Sequence, residues 1–217
     1  MNIDKIAQCR QCPRLATFLD EVKRDNPDYY AQPVLPFGDA RPKLLIVGLA
    51  PGMHGANRTG RPFTGDHAGI LLYRTLHHFG FASQAVSTAS DDGLQLVGCR
   101  ITNAVKCLPP QNKPETSEIR QCNPFLAQEI ALLDRSAAIL ALGTIAHQAV
   151  LLACKLKPRD YPFAHGASHA LPDGLTLHDS YHCSRYNTQT RRLTPEMFEA
   201  VFEAISSQLQ RSVPCPT

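Results

Sequence analysis

The chain has 217 residues, 43% of them hydrophobic, and a formal net charge of +3. This length and apolar content suit one domain over residues 1–217 with a sizeable core, so a disordered chain is not expected. The mild positive charge permits an anionic partner without demonstrating one, so any claim of nucleic-acid binding must rest on particular residues.

Targeting signals are lacking in the sequence. The N-terminal stretch MNIDKIAQC does not have the basic and then apolar layout of a secretion signal, and no run approaches the roughly 18 apolar residues of a membrane span. We therefore expect a cytoplasmic protein with no membrane partner. In that compartment the eight cysteines are expected to be thiols or metal ligands rather than disulfides.

Strand-like and helix-like segments alternate along the chain. Strands are predicted at KLLIVGLA (43–50), RITNAVKC (100–107), AAILALG (137–143) and LTLHDSYH (175–182). Helices are predicted at 4–24, 67–81, 116–134, 144–156 and 194–210, with Thr116 and Thr194 as N-caps of the third and the last. This alternation favours a mainly parallel, four-stranded α/β sheet, and the tail 211–217 is expected to be frayed.

A long glycine-rich segment, GLAPGMHGANRTGRPFTGDHAG (48–69), follows the first predicted strand. It is too long and too polar to be only a turn. Ligands of open α/β sheets lie outside the carboxyl ends of the strands, where Asn103 in the second strand and His182 at the end of the fourth also lie. The segment matches neither of the common nucleotide-binding glycine patterns. We therefore predict that it holds a ligand other than a nucleotide cofactor.

The cysteine spacing indicates a metal centre. Cys9 and Cys12 form one knuckle, whereas Cys107 and Cys122 are separated by fourteen residues. One knuckle with two dispersed cysteines favours an iron-sulfur cluster over a zinc site, and unliganded thiols are the third alternative. The remaining cysteines are interpreted as ordinary thiols: Cys99, Cys154, Cys183 and Cys215.

Three motifs together with these four cysteines resemble the uracil-DNA glycosylase superfamily, specifically the family 5 or B-type enzymes of bacteria and archaea. The motifs are GLAPGMHGANRTGRPFTGD, TNAVKC and SYHCSRYNTQTRRLT, and the resemblance runs from about Cys9 to Leu193. It implies a three-layer α/β/α sandwich around a four-stranded, mainly parallel sheet. It also implies a structural [4Fe-4S] cluster bound by Cys9, Cys12, Cys107 and Cys122.

The activity that the resemblance implies is monofunctional base excision from DNA. The enzyme would flip out uracil, and other deaminated bases such as hypoxanthine, xanthine or ethenocytosine, hydrolyse the N-glycosidic bond and leave an abasic site. Its partner would be DNA containing these bases, and we expect a monomer associated with the nucleoid. Two positions depart from related motifs: Cys183 replaces a proline, and Leu49 stands where family 4 enzymes have an acidic residue.

Cleavage of an N-glycosidic bond requires donors toward the departing base and an anion near the sugar. Phe63 is the candidate stacking platform, Asn103 the amide that recognises uracil N3–H and O4, and His182 the donor to the leaving base. Asp66 is the candidate for positioning water and stabilising the sugar cation. The alternatives are a core aromatic, a strand-end amide bonded to a turn, a buried histidine and an N-cap, respectively. Gly48 and His54 complete the predicted base-binding set.

Contacts to the DNA backbone are assigned to polar residues of the two loops: Asn57, Arg58, Ser184, Arg185 and Asn187. The segment SRYN could also fill the vacated base stack. Each of these residues could instead be an ordinary solvated loop residue. A different kind of function is a non-catalytic metal-cluster module that binds nucleic acid through phosphates alone, which predicts binding without product.

Overall fold

Six strands form one sheet in the computed structural model, which describes residues 3–211. The predicted frayed tail lies outside these residues from 212 onward, as does Cys215. In chain order the strands are β1 Phe37–Gly38, β2 Leu44–Gly48, β3 Cys99–Asn103, β4 Ala138–Leu142, β5 Ser168–Ala170 and β6 Thr176–Ser180. Their order across the sheet is β1-β3-β2-β4-β6-β5.

The four predicted strands are β2, β3, β4 and β6, and they pair in parallel at the centre of the sheet. The sequence analysis missed β1 and β5, which add antiparallel edges. Both are only two or three residues long and partly exposed, so they lack an apolar run. Because the central strands are parallel, their carboxyl ends lie along one edge of the sheet.

Eight helices surround the sheet in the part of the chain that the structure describes. They are α1 Ile3–Ala7, α2 Pro13–Asp25, α3 Ala56–Thr59, α4 His67–His78, α5 Thr116–Ala131, α6 Thr144–Ala153, α7 Arg185–Gln189 and α8 Pro195–Arg211. Apolar residues of α4 and α8 pack on one face of the sheet, and those of α5 and α6 pack on the other. This arrangement confirms the predicted three-layer architecture. No helix within residues 3–211 has the length and apolar character needed to cross a membrane.

Helix ends explain two wrong predictions. The predicted N-terminal helix is two helices, because the chain breaks around Cys9 and Cys12 and restarts with proline at the first position of α2. Thr116 is not the N-cap of α5: Glu115 occupies that position and exchanges capping hydrogen bonds with Glu118. The Thr194 cap of α8 is confirmed, since its Oγ1 accepts the N–H of Met197 at 3.2 Å.

Candidate active site

A cavity of about 520 Å³ opens at the carboxyl edge of the parallel strands. Its walls come from the glycine-rich segment after β2, the end of β3 and the loop after β6. Six of the predicted site residues line it: Phe63, Asp66, Asn103, His182, Ser184 and Arg185. Residues separated by more than a hundred positions in the chain thus face one space that could hold a small ligand.

The aromatic wall of the cavity is formed by Phe63 and His182. Their rings are stacked, with centroids 6.0 Å apart and planes 29° apart. Phe63 has φ +55, a conformation rare for a side chain of this size, and it is only 6% exposed. Gly69 permits the conformation, because a Cβ there would lie 1.9 Å from the Phe63 carbonyl oxygen. Phe63 packs into the core as well as lining the cavity, so the two interpretations of this residue both apply.

Asn103 supplies the polar edge of the cavity. It is the last residue of β3, it is 3% exposed, and its Oδ1 has no hydrogen-bond partner among the described residues. Gly48 lies beside it in the sheet, and a Cβ at Gly48 would meet Asn103 Oδ1 at 2.5 Å and Phe63 Cζ at 2.8 Å. Gly48 therefore contributes by the absence of a side chain. A buried acceptor without a donor costs about 1–3 kcal/mol, which a ligand donor would recover.

His182 lies two residues beyond β6, which ends earlier than predicted. Its side chain is half-buried, and burial lowers the pKa of the imidazole to about 4. The ring is therefore neutral at neutral pH and can donate one N–H. Asn187 Nδ2 donates to the His182 carbonyl oxygen at 2.7 Å, so the Asn187 amide holds this loop instead of facing a phosphate as predicted.

Asp66 precedes α4 but does not cap it with its side chain. Instead Oδ2 accepts the backbone N–H of Ala56 at 3.3 Å. A Cβ at Gly55 would lie 1.8 Å from Asp66 Oδ1, so this glycine allows the carboxylate to lie against the backbone of the loop. Burial raises the pKa of the Asp66 carboxyl group, and the hydrogen bond from Ala56 and the charge of Arg58 oppose that shift. Asp66 thus occupies the N-cap position of α4, as the alternative interpretation has it, but its side chain makes no capping hydrogen bond.

Two residues of the glycine-rich segment are not placed to make the contacts with DNA that the sequence predicts. Asn57 is fully buried, so its side chain cannot reach a phosphate, and that prediction is wrong. His54 is exposed and does not line the cavity; its Nδ1 lies 2.8 Å from the hydroxyl oxygen of Tyr29. Its predicted contact with the base is therefore not supported. Arg58 is exposed, and its charge opposes the rise that burial causes in the pKa of Asp66; its contact with a phosphate stays a prediction.

The rim of the cavity continues into α7. Ser184 is the N-cap of this short helix, and its Oγ accepts the N–H of Asn187 at 3.4 Å. Arg185 is exposed and lines the cavity, and Tyr186 beside it is 69% exposed. The segment SRYN thus places one cation and one aromatic ring at the rim, with Ser184 fixing the helix that presents them.

The four predicted metal-binding cysteines line a second, smaller cavity. Cys122 Sγ accepts the backbone N–H of Lys106 at 3.4 Å. Burial raises the pKa of Cys12 to about 11 and raises those of Cys107 and Cys122, so binding of a metal would have to displace their protons.

The distances between the cysteine sulfur atoms can be compared with those in a zinc site. In a tetrahedral zinc site with Zn–S bonds of about 2.3 Å, the sulfur atoms lie ~3.8 Å apart. No three of the cysteines have all their sulfur atoms within 4.8 Å of one another, whereas one set elsewhere in residues 3–211 meets that limit. In any three of these cysteines at least two sulfur atoms are therefore farther apart than the ligands of a tetrahedral zinc ion.

That other set is a buried cluster that the sequence analysis missed, formed by His147, His169 and Asp179. Asp179 Oδ1 lies 2.7 Å from His147 Nδ1, and Oδ2 lies 3.2 Å from His169 Nε2. His147 Nε2 donates to the Tyr161 carbonyl oxygen at 2.9 Å. Ligands about 2.0–2.1 Å from one zinc ion would be ~3.3 Å apart, so the 2.7 Å contact indicates a hydrogen bond rather than a metal site. The three residues come from three different elements, and no local motif signals them.

Comparison with known proteins identifies the family. The model of the uracil DNA glycosylase superfamily matches residues 35–206. The chain belongs to the uracil-DNA glycosylase superfamily. It is 47% identical to the type-5 uracil-DNA glycosylase of Thermus thermophilus, over 93% of this chain and 94% of that protein. It is 44% identical to the type-5 enzyme of Mycobacterium leprae, over 91% and 90% of the two chains.

A more distant relative agrees with this assignment. The type-5 uracil-DNA glycosylase of Pyrobaculum aerophilum is 37% identical over 92% of this chain and 88% of that protein. The family predicted from the three motifs is thereby confirmed, and so is the enzyme class, a DNA glycosylase that hydrolyses N-glycosidic bonds. DNA is accordingly the macromolecule on which this superfamily member acts.

Proposed function

We propose that this chain excises uracil from DNA and that the cavity beside Asn103 binds the flipped base. The observation that supports this most strongly is the buried Oδ1 of Asn103, which has no partner among the described residues. Uracil N3–H would donate to Oδ1, while Nδ2 of the same amide would donate to uracil O4. Phe63 and His182 line the same cavity, so the base would meet aromatic and polar groups together.

His182 and Asp66 divide the chemistry of bond cleavage. A neutral His182 donates a hydrogen bond to the uracil oxygen that gains negative charge as the bond breaks, without first having to release a proton. Asp66 lies on the cavity wall, and its carboxylate would orient the attacking water and stabilise the positive charge on the sugar. Both roles use groups whose pKa values burial displaces, as is common at active sites.

Water is proposed as the nucleophile, which makes the enzyme monofunctional. Cleavage of the DNA strand through a Schiff base needs an amine in the active site. No lysine lines the cavity among the residues that the structure describes. The product would therefore be an intact strand with an abasic site.

The rim of the cavity is suited to a DNA strand whose base has been flipped out. Flipping costs a few kcal/mol, and filling the vacated stack recovers part of this cost. Tyr186 is exposed at the rim beside Arg185, so its ring could enter the stack while the guanidinium and Arg58 contact phosphates.

A [4Fe-4S] cluster bound by Cys9, Cys12, Cys107 and Cys122 is proposed as a structural element. It would join the loop before α2 to the loop after β3 and to α5, and four metal–thiolate bonds would stabilise that junction. Hydrolysis needs no electron transfer, so the cluster would supply no redox step. Cys107→Ser should lose visible colour and folding together. A colourless, soluble and fully active Cys107→Ser protein would refute this role.

The decisive experiment is a single-turnover incubation with duplexes that contain one uracil, hypoxanthine or thymine, followed by alkali to reveal abasic sites. We expect product from the uracil duplex and a rate at least about 100-fold lower for Asn103→Ala. Cleavage of the DNA strand without alkali would contradict the monofunctional mechanism. Tight binding with no abasic product from any duplex would refute excision and favour the non-catalytic binding module.

The same experiment tests a broader substrate range. Other deaminated bases such as hypoxanthine, xanthine and ethenocytosine are proposed as further substrates, because the cavity volume exceeds that of a single pyrimidine. Comparable single-turnover rates for uracil and hypoxanthine would support this range, whereas product from uracil alone would restrict it. The cytoplasmic location and the monomeric state stay predictions.

A further inference from the structure

Lys106, in the motif TNAVKC, is a fully buried charged residue that the proposed chemistry does not use. It is 1% exposed, and it lies between the base cavity and the four cysteines. Its Nζ donates to the Asn103 carbonyl oxygen at 2.8 Å, to Glu129 Oε1 at 2.8 Å and to Thr102 Oγ1. An ammonium group has three donors, and all three are used here.

Glu129 holds the ammonium from the other side. This residue lies on α5, and its side chain is 1% exposed. Glu129 Oε1 also accepts the Thr102 hydroxyl at 2.9 Å, and Oε2 lies 3.5 Å from Arg100 Nε. A buried ion pair contributes little to net stability after the cost of desolvation, so stability alone is a weak reason for this arrangement.

The contact of Lys106 with Asn103 fixes one particular peptide group. That group joins Asn103 to Ala104: its carbonyl oxygen accepts from Lys106 Nζ, and its N–H donates to the Gly48 carbonyl oxygen at 2.9 Å. Both ends of the peptide plane are therefore held. The plane begins at the Cα atom from which the Asn103 amide projects into the cavity, so holding the plane constrains where that Cα atom, and with it the amide, lies.

The backbone of Lys106 makes a second connection. Its N–H donates to Cys122 Sγ, and its carbonyl oxygen accepts the Val34 N–H at 2.7 Å. One residue thus connects the amide that faces the cavity with the wall of the cysteine site. The two sites are neighbours in space because only three residues separate Asn103 from Cys107 along the chain.

We propose that Lys106 is a positioning residue for base recognition: with Glu129 it holds the peptide group after Asn103 so that the Asn103 amide faces the bound base. This inference rests on the proposed excision of uracil. Lys106 itself does not touch the base, since it does not line the base cavity. The removal of its side-chain contact should therefore act through Asn103 and through no other group.

The test compares Lys106→Met, Asn103→Ala and the double variant with the wild-type protein in single-turnover excision of uracil. Lys106→Met should lower the rate between about tenfold and 100-fold, as expected for a misplaced binding group. In the Asn103→Ala background the same substitution should lower it no further, because the group being positioned is gone. Visible absorbance per protein should be unchanged, which separates this effect from loss of the cluster.

A stability control separates positioning from general weakening. Leu151→Ala removes a fully buried side chain of α6 that does not line the cavity, and it should lower the melting temperature without changing the excision rate of the folded protein. Should Lys106→Met fail to fold, Lys106→Met/Glu129→Leu removes both buried charges and still lacks the contact with the Asn103 carbonyl.

The outcomes are distinct. The positioning role would be overturned if Lys106→Met, like Leu151→Ala, lowered the melting temperature without changing the excision rate. It would also be overturned if the rate losses of Lys106→Met and Asn103→Ala multiplied in the double variant. If the wild-type protein itself leaves no abasic site, the proposed excision of uracil is refuted. That result is distinct from a failure of the positioning role, because it does not depend on any variant.

Discussion

The base cavity and the His147–Asp179 cluster are both groups of buried polar side chains around the same sheet, but their hydrogen bonding differs. In the cluster, both oxygens of Asp179 and both nitrogens of His147 have partners within the protein. In the cavity, Asn103 Oδ1 has none among the described residues. A satisfied group rigidifies the fold, whereas an unsatisfied one facing open space marks a place for a ligand.

The two regions also differ in how closely their side chains lie against the backbone. In the cavity, Gly48 and Gly55 allow side chains to approach backbone at distances that a Cβ would prevent. Around the cluster, the atoms are held by ordinary hydrogen bonds between α6, β5 and β6. A substitution in the cavity should therefore affect excision, while one in the cluster should affect stability.

Gly48→Ala should have the largest effect. The new Cβ would meet Asn103 Oδ1 and Phe63 Cζ at under 3 Å and displace both groups that are proposed to contact the base. We expect a fall of about 1,000-fold in single-turnover excision, similar to the removal of a transition-state donor. Gly80→Ala is the control: its Cβ would meet no atom within 4 Å, and its φ of +76 should cost stability only. Equal excision by the two variants would contradict the assigned cavity.

Asp179→Ala should lower the free energy of unfolding by about 3 kcal/mol, because two histidine nitrogens lose their acceptor in the interior. The excision rate of the folded protein should change by less than about threefold, since none of the three cluster residues lines the cavity. Chemical denaturation and single-turnover assays on the same preparation measure both. Asp179→Asn, which keeps the shape, should be milder. A large loss of excision with unchanged stability would place this cluster in the active site.

The pH dependence of stability should reveal the burial of His182. Its folded pKa of about 4 lies below the unfolded value of 6.5, so the unfolded state binds a proton first as the pH falls. Its contribution to stability is therefore intact above about pH 6.5 and is lost progressively toward pH 4. After allowance for partial exposure we expect about 2 kcal/mol, measured as the difference between wild-type and His182→Gln denaturation curves. If the difference in unfolding free energy between the wild-type and His182→Gln proteins did not change with pH, His182 would be well solvated.

The smallest effect is expected at the rim. Arg185→Ala should weaken binding to DNA by about fivefold and reduce the salt dependence of the affinity by about one ion, because Arg185 is exposed and its proposed contact with one phosphate would be lost. Arg24→Ala provides the control, since Arg24 is exposed on α2, pairs with Asp25 and does not line the cavity. Titrations at several salt concentrations would distinguish the two, and equal slopes would remove Arg185 from the interface.

Much of the molecule follows from local sequence patterns. Apolar runs predict the four parallel strands, and the rule for ligands at their carboxyl ends locates Asn103, Phe63 and His182 before any coordinates are known. The short edge strands β1 and β5 are not predicted, because two or three partly exposed residues produce no periodic signal. The break of the N-terminal helix does have a local signal, because Pro13 favours the first position of a new helix.

Sequence patterns alone predict the fold class, the family and six of the residues that line the cavity, because these depend on periodicity, spacing and motifs within short stretches. Tertiary structure alone decided which polar atoms have partners. It buried Asn57, turned the Asp66 carboxylate onto the Ala56 N–H and joined Lys106 to Glu129. Hydrogen bonding and burial depend on neighbours distant in the chain, and a pattern in one stretch of sequence contains no information about them.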